Sequence, residues 1–261
     1  MKIVVCIKQV PDTTSVKLDA KTGTMKREGV SSIINPFDAY ALEEAVRLKE
    51  AHGGEVIVLS MGPPQAEVAL REAVSLGADS AILLSDRAFA GSDTLATSYT
   101  LGRAIDKIGD VDLVFTGKQA TDGDTAQVGP GVAQQLGIPC VTWIRRVASI
   151  EDGRMRVERL MEDGHAVLEL KLPALLTVVK EINIPRMPSI RGKRAAKKIE
   201  IIVWGAADLN VDEAKLGLSG SPTQVFRTFA PPKRAGGQVF EGEPGDLAKD
   251  LAGRLREIMS K

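Results

Sequence analysis

Over the first half of the chain, short continuous apolar runs alternate with apolar stripes spaced three and four residues apart. The runs at 3–7, 55–60, 81–84 and 111–115 have the length and β-branched content of buried strands, and the stripes between them have the period of helices. Ala41, Leu42, Ala45, Val46 and Leu48 mark the first helix, with Glu43, Glu44, Arg47 and Lys49 as its wet face and Asp38, or Asn35 with Pro36 in the first turn, as its cap. Residues 66–76, closed by Gly77, 95–108 and 126–136 continue the series. Strands alternating with helices predict a doubly wound, mostly parallel sheet whose ligand crevice lies at the carboxyl ends of the strands.

Beyond residue 140 the rhythm changes. Runs at 147–150, 155–160, 167–172 and 175–179, separated by Glu151-Asp152-Gly153 and Asp163-Gly164, predict an antiparallel meander attached to the sheet. Residues 17–32 read as an irregular or hairpin excursion. Residues 205–245 are rich in Gly, Pro, Ser and Thr, and 246–259 form an amphipathic helix with Leu247, Leu251, Leu255 and Ile258 on one stripe. The expected organisation is an α/β domain over 1–204 and a C-terminal arm and helix over 205–261 that packs on a partner subunit.

The stretch 111–137 carries the most chemical information. Its strand and helix are joined by a polar loop in which Gly117 and Gly123 give the backbone freedom, and Asp122, Asp124 and Thr125 stand where a helix cap is wanted. Backbone N–H groups at such a turn make an anion site, and the loop reads as a nucleotide phosphate loop, although many strand-loop-helix turns bind nothing. Gly129-Pro130-Gly131 opens like a dinucleotide fingerprint but has Gln134 where Gly or Ala is needed, and the chain has no G-x-x-x-x-G-K-[ST]. The connection 85–94 is longer than most strand-to-helix loops, and its small residues leave room beside the backbone.

Composition narrows the classes. Thirty-four basic and 34 acidic residues balance, and aromatic residues are 4%, so neither an overall nucleic-acid surface nor a base-stacking one is expected. The exception is local: 185–198 holds Arg186, Arg191, Lys193, Arg194, Lys197 and Lys198, which reads either as a solvated basic segment or as a docking loop for an acidic partner. Cys6 and Cys140 lie in apolar runs and are expected in the core; His52 and His165 are expected at the surface. There is no signal-peptide pattern and no run long enough to span a membrane, so a cytoplasmic location is expected. With no nucleophile-base pair or metal cluster in view, the reactive group is expected to come from a cofactor.

These features converge on a resemblance. Val157-Glu158-Arg159-Leu160-Met161-Glu162-Asp163-Gly164, Leu168 and Pro173-Ala174-Leu175-Leu176-Thr177 resemble the signature of electron-transfer flavoprotein β subunits, departing from it at Ala166. The opening strand, Asn35-Pro36-Phe37, Met61-Gly62-Pro63 and the stretch from Gly117 through Gln127 fall where that family holds an adenine nucleotide. The resemblance implies a heterodimer with an α subunit carrying FAD. It implies nucleotide binding by Cys6, Asn35, Pro36, Phe37, Asp38, Met61, Gly117, Gln119, Ala120, Thr121, Asp122, Gly123, Asp124, Thr125, Ala126, Gln127 and Val128. It also implies docking of an acyl-CoA dehydrogenase through Arg186, Met187, Pro188, Ile190 and Arg191, with the apolar anchor among Met187, Pro188 and Ile190.

Two subtypes are open. In one the β subunit holds AMP as a structural ligand. In the other it holds a second FAD that takes a hydride from NADH and bifurcates the electrons, one to ferredoxin or flavodoxin and one to the α-subunit FAD. Residues 86–98 and 10–14 resemble the bifurcating group, in which Gly91, Ser92, Asp93, Thr94, Ala96 and Thr97 would cradle the flavin ring.

Overall fold

The structure is a computed structural model that describes residues 1–12, 32–226, 236–237 and 239–260. The excursion expected at 17–32 lies outside the described residues except for Ser32. Chain contacts divide the protein into a main unit, Met1–Val225, and a second unit, Phe226–Lys261.

In the main unit the elements follow the expected alternation. In chain order they are β1 (Lys2–Cys6), β2 (Gln9–Pro11), β3 (Ser32–Ile34), α1 (Pro36–His52), β4 (Glu55–Met61), α2 (Glu67–Ser75), β5 (Ser80–Leu84), α3 (Thr94–Ile108), β6 (Leu113–Gly117) and α4 (Val128–Leu136). Then come β7 (Cys140–Glu151), β8 (Arg154–Leu160), β9 (His165–Lys171), β10 (Ala174–Val178), α5 (Ile190–Lys198) and β11 (Ile202–Trp204). Among the described residues, nine strands form one sheet in the order β11-β5-β4-β1-β6-β10-β7-β8-β9, and β2 pairs with β3 separately.

Strand alternation divides the core between two faces. Ile3 and Val5 of β1 join Leu42 of α1 and Leu70 of α2 in one apolar cluster, while Val4 and Cys6 join Leu101 of α3 and Val132 of α4 in the other. Near-continuous apolar strands are therefore required, because both sides are covered.

Three expectations need correction. The run at 175–179 is not a fourth meander strand: β10 inserts between β6 and β7 and is parallel to both, so the antiparallel extension is β7-β8-β9. Its residues Ala174 to Val178 are all buried, as a central strand demands. Glu43 and Glu44 do not lie on a wet face but are buried, because the segment before α5 covers them: Asn183 donates to Glu44 and Arg186 to Glu43. Cys140, at the start of β7, is exposed rather than in the core. His52 and His165 are exposed, as expected.

The beginning of the predicted arm packs on the main unit, where Leu209 and Leu216 are buried beside α3 residues in the second cluster. The second unit contains α6 (Pro244–Met259), along which Leu251, Leu255, Ile258 and Met259 are exposed. Among the described residues no helix is long and apolar enough to cross a membrane.

Candidate functional site

Strand order reverses at β1, which has β4 on one side and β6 on the other. In an open α/β sheet this topological switch point, at the carboxyl ends of the strands, is where a crevice opens. Cys6, Met61 and Gly117 end the three strands there.

The first turn of α1 stitches this crevice together. Asn35 is the N-cap residue, but its side chain does not cap the helix. Its Nδ2 donates to the Gln119 carbonyl at 2.9 Å, and its Oδ1 accepts from the Thr121 amide at 3.1 Å. Asp38, predicted as an alternative cap, accepts instead from the Lys8 amide at 2.7 Å and the Gly117 amide at 3.1 Å. Burial pushes its carboxyl up to about 7, against the pull of the Asn35 amide, the two backbone N–H groups and the Lys8 charge. Gly117 is required by this packing: a Cβ there would stand 2.5 Å from Asp38 Oδ1 and 2.6 Å from Phe37 atoms.

The loop after β6 is built differently from its predicted form. Gly117 and Gly123 do not take left-handed conformations; Asp124 and Ala126 do, each with φ of 54°. Non-glycine residues held there store strain, which accumulates at functional sites. Asp122, Asp124 and Thr125 do not cap α4, whose N-cap residue is Gln127 and has no side-chain cap. Asp122 pairs with Lys8 Nζ at 2.8 Å, and Asp124 accepts a hydrogen bond from Gln119. Residues 121–125 are exposed, and Ala126 and Val128 partly so. Lys118 Nζ lies 5.2 Å from the Phe37 ring centroid and 4.6 Å from that of Trp143, itself a left-handed residue with φ of 63°.

A cleft of about 590 Å³ opens at the carboxyl ends of β4 and β5, lined by Met61, Gly62, Pro63, Pro64, Ser85, Asp86, Arg87, Phe89, Ala90, Gly91 and Ser92. The loop 85–93 is held by side-chain hydrogen bonds at both ends. Asp86 accepts from the Ala88 and Ala206 amides, and Asp93 caps α3 by accepting from the Leu95 and Ala96 amides while also binding Thr223. Gly91 has φ of 75° and faces Leu218, so a side chain there would strain the backbone and collide. Thr94 Oγ1 donates to Gln127 Oε1 at 2.9 Å, tying this loop to the one after β6.

The structure thus gathers Asn35, Phe37, Asp38, Gly117, Gln119, Thr121, Asp122 and Asp124 at one pole, and Met61, Gly91 and Ser92 along the cleft. Cys6 and Ala96 are buried, so their side chains belong to the core, and the side chains of Asp38 and Asp93 are committed to protein amides. Lys8, which pairs with Asp122, and the cleft-lining Pro64, Ser85, Asp86, Arg87, Phe89 and Ala90 are not among the site residues predicted from the sequence. Lys8 could have been found from its position two residues past the first strand, the side-chain polarity at 85–87 from the length of its loop.

The segment 183–191 forms a second surface. Arg186 reaches Glu43 at 2.8 Å and Glu50 at 2.6 Å, which fixes the segment on α1. Burial pushes the Glu43 carboxyl up, but hydrogen bonds from the Arg186 side chain and backbone and from Arg47 outweigh it and hold the group below its ordinary value. Ile184, Met187 and Ile190 are 84%, 86% and 76% exposed, an apolar set on a charged background. Pro188 is partly buried and Arg191 is exposed.

Comparison with known proteins matches residues 22–209 to the electron transfer flavoprotein domain. The chain is 54% identical over 256 residues to the electron transfer flavoprotein subunit beta of Thermoanaerobacterium thermosaccharolyticum, covering 98% of both chains. It is 52% identical over 259 residues to the caffeyl-CoA reductase-Etf complex subunit CarD of Acetobacterium woodii, again covering 98% of each. It is 50% identical over 242 residues to protein FixA of Azorhizobium caulinodans, covering 90% of this chain and 86% of that protein.

Proposed function

This chain belongs to the electron transfer flavoprotein family as a β subunit, and we propose that it is the FAD-bearing β subunit of an electron-bifurcating member. In this reading it pairs with an α subunit, takes a hydride from NADH, and passes one electron to ferredoxin or flavodoxin. The other electron goes by way of the α-subunit FAD to an acyl-CoA dehydrogenase.

The observation that carries the reading is the pairing of two unlike half-sites on one rim. A polar loop with exposed backbone suits phosphates, and a cleft of about 590 Å³, walled by Met61, Phe89, Ala90 and two prolines, suits a flat ring. The Thr94–Gln127 hydrogen bond keeps them in register. AMP has no need of the wall formed by Ala90, Gly91 and Ser92; a dinucleotide uses it together with the polar loop. The residues present therefore fit FAD, with Asn35, Gln119 and Thr121 shaping the phosphate end and Met61, Ala90 and Ser92 bordering the ring.

FAD supplies hydride acceptance and single-electron release, and the chain's residues bind, orient and shield it. The cleft walls would exclude water from one face of the ring, and Ser85 and Arg87 bring polar groups to its edge. The exposed Ile184, Met187 and Ile190 supply an apolar contact for the dehydrogenase, and the name of the A. woodii relative supports an oxidoreductase of CoA thioesters in that role. In this arrangement Arg186 holds the docking segment in place rather than touching the partner.

The test is to purify the chain with its α subunit, denature the complex and count the released nucleotides. Two FAD per heterodimer are expected, and one FAD with one AMP would overturn the reading. Ala90 is exposed with φ of −66°, so Ala90→Phe fits the backbone and fills the cleft. That variant should lose one FAD and NADH oxidation while retaining the other FAD.

A further inference from the structure

We propose that Asn35 and Asp38 are positioning residues that clamp the end of β1 to the loop after β6, and that nucleotide retention depends on this clamp. The proposal rests on the nucleotide being held at the switch point, whichever nucleotide it is. The last residues that β1 and β6 pair with each other are Cys6 and Thr116, and beyond them each chain bonds to other neighbours instead. The first turn of α1 replaces that pairing. One carboxylate takes the Lys8 amide on one oxygen and the Gly117 amide on the other. The Asn35 amide takes the Gln119 carbonyl and the Thr121 N–H, while its backbone N–H donates to the Lys8 carbonyl at 2.8 Å.

Asn35 is 1% and Asp38 6% exposed, and all four of their side-chain polar atoms have protein partners. They are therefore spent on the loop and act on a ligand through it. Lys8 extends the clamp outward, because its amide is fixed by Asp38 while its ammonium holds Asp122 on the exposed part of the loop.

This geometry makes the clamp sensitive to protons. The two amide hydrogen bonds favour the ionised carboxylate, but the cost of burying its charge outweighs them, so the neutral acid is the form the closed clamp favours. The charged or titratable groups facing Asp38 are the Lys8 ammonium and the Cys6 thiol, the latter pushed up to about 12 by burial and by Asp38 itself. With the Asp38 carboxyl raised to about 7 in the clamp and near 3.9 once exposed to water, loss of its proton favours the opened loop, so the clamp loosens as pH rises through neutrality.

The experiment follows nucleotide loss from the purified heterodimer during gel filtration, with chromatographic identification, between about pH 5.5 and about pH 8.5. The wild-type protein should release the nucleotide of this chain about tenfold faster at the alkaline end, the scale of one pH unit of proton linkage. Asp38→Asn, neutral at every pH, should give a flat profile. Asn35→Ala should release it faster overall but keep the pH dependence, because Asp38 is intact. A flat wild-type profile, which needs no variant to fold, overturns the proposal, as does an Asp38→Asn protein that keeps the wild-type profile. The two readings fail separately: one FAD plus one AMP sinks the flavin assignment and leaves the clamp testable on AMP, while two FAD with pH-independent release sinks the clamp alone.

Discussion

A carboxylate buried between two strand ends affects folding as well as binding, and Asp38 does so with a definite sign. Its proton leaves near pH 7 in the folded protein and near 3.9 in an unfolded chain, so between those values the folded state binds more protons. Stability from this group is fully present below about pH 4, declines by up to roughly 1.4 kcal/mol per pH unit as pH rises, and levels off above about 7. Other carboxylates add their own slopes, but Asp38→Asn removes this one. The difference in unfolding free energy between wild type and Asp38→Asn, from urea midpoints, should therefore fall steadily from about pH 4 to about pH 7. A constant difference would mean that the carboxyl titrates alike in both states. At this scale the sequence was least legible: the motif Asn35-Pro36-Phe37-Asp38 announced a helix start, but a helix start asks only for a cap. That both side chains serve amides and carbonyls 79 to 86 positions away, and Asp38 also the Lys8 amide 30 positions away, follows from the strand order, which no local pattern contains.

Among elements, the attachment of the segment before α5 to α1 is governed by Arg186. Its guanidinium forks onto Glu43 and Glu50, and without it Glu43 would be a buried carboxylate with Arg47 as its remaining cation. Arg186→Ala should destabilise the main unit by about 1–3 kcal/mol, measured by urea unfolding, and, if the proposed docking surface is right, weaken dehydrogenase binding by loosening Ile184, Met187 and Ile190. Arg186→Lys should recover only part, since an ammonium cannot reproduce the fork. Unchanged stability in Arg186→Ala would show that Arg47 alone satisfies Glu43. Helices and parallel strands were readable because both-face burial writes apolar runs and one-face burial writes stripes; α1 and β4 ran close to their predicted spans. The placement of β10 was not readable. A buried run beside hairpin turns looks the same whether it ends a meander or enters the central sheet, and only pairing distinguishes them. The loop after β6 was located correctly, yet its backbone freedom was assigned to glycines, whereas Asp124 and Ala126 carry the left-handed conformations under tertiary constraint.

For the whole molecule, the second unit has an amphipathic helix that its own residues leave uncovered. Leu251, Leu255 and Ile258 are 59%, 49% and 70% exposed at spacings of four and three, one stripe of α6, and the guanidinium of Arg254 lies 4.3 Å from the Phe240 ring centroid. An apolar stripe of this kind in a β subunit is the expected contact for the α subunit. If it is, each leucine gains about 1.5–3 kcal/mol on burial at the interface. Leu251→Glu with Leu255→Glu should then weaken heterodimer formation by at least about a hundredfold in analytical ultracentrifugation. The stripe lies outside the main unit, whose core clusters include no residue of α6, so the thermal transition of the main unit should stay where it was. Those two readouts separate an interface from a folding element: undiminished association would remove α6 from the interface, and a lowered transition in the main unit would make the helix part of its stability instead.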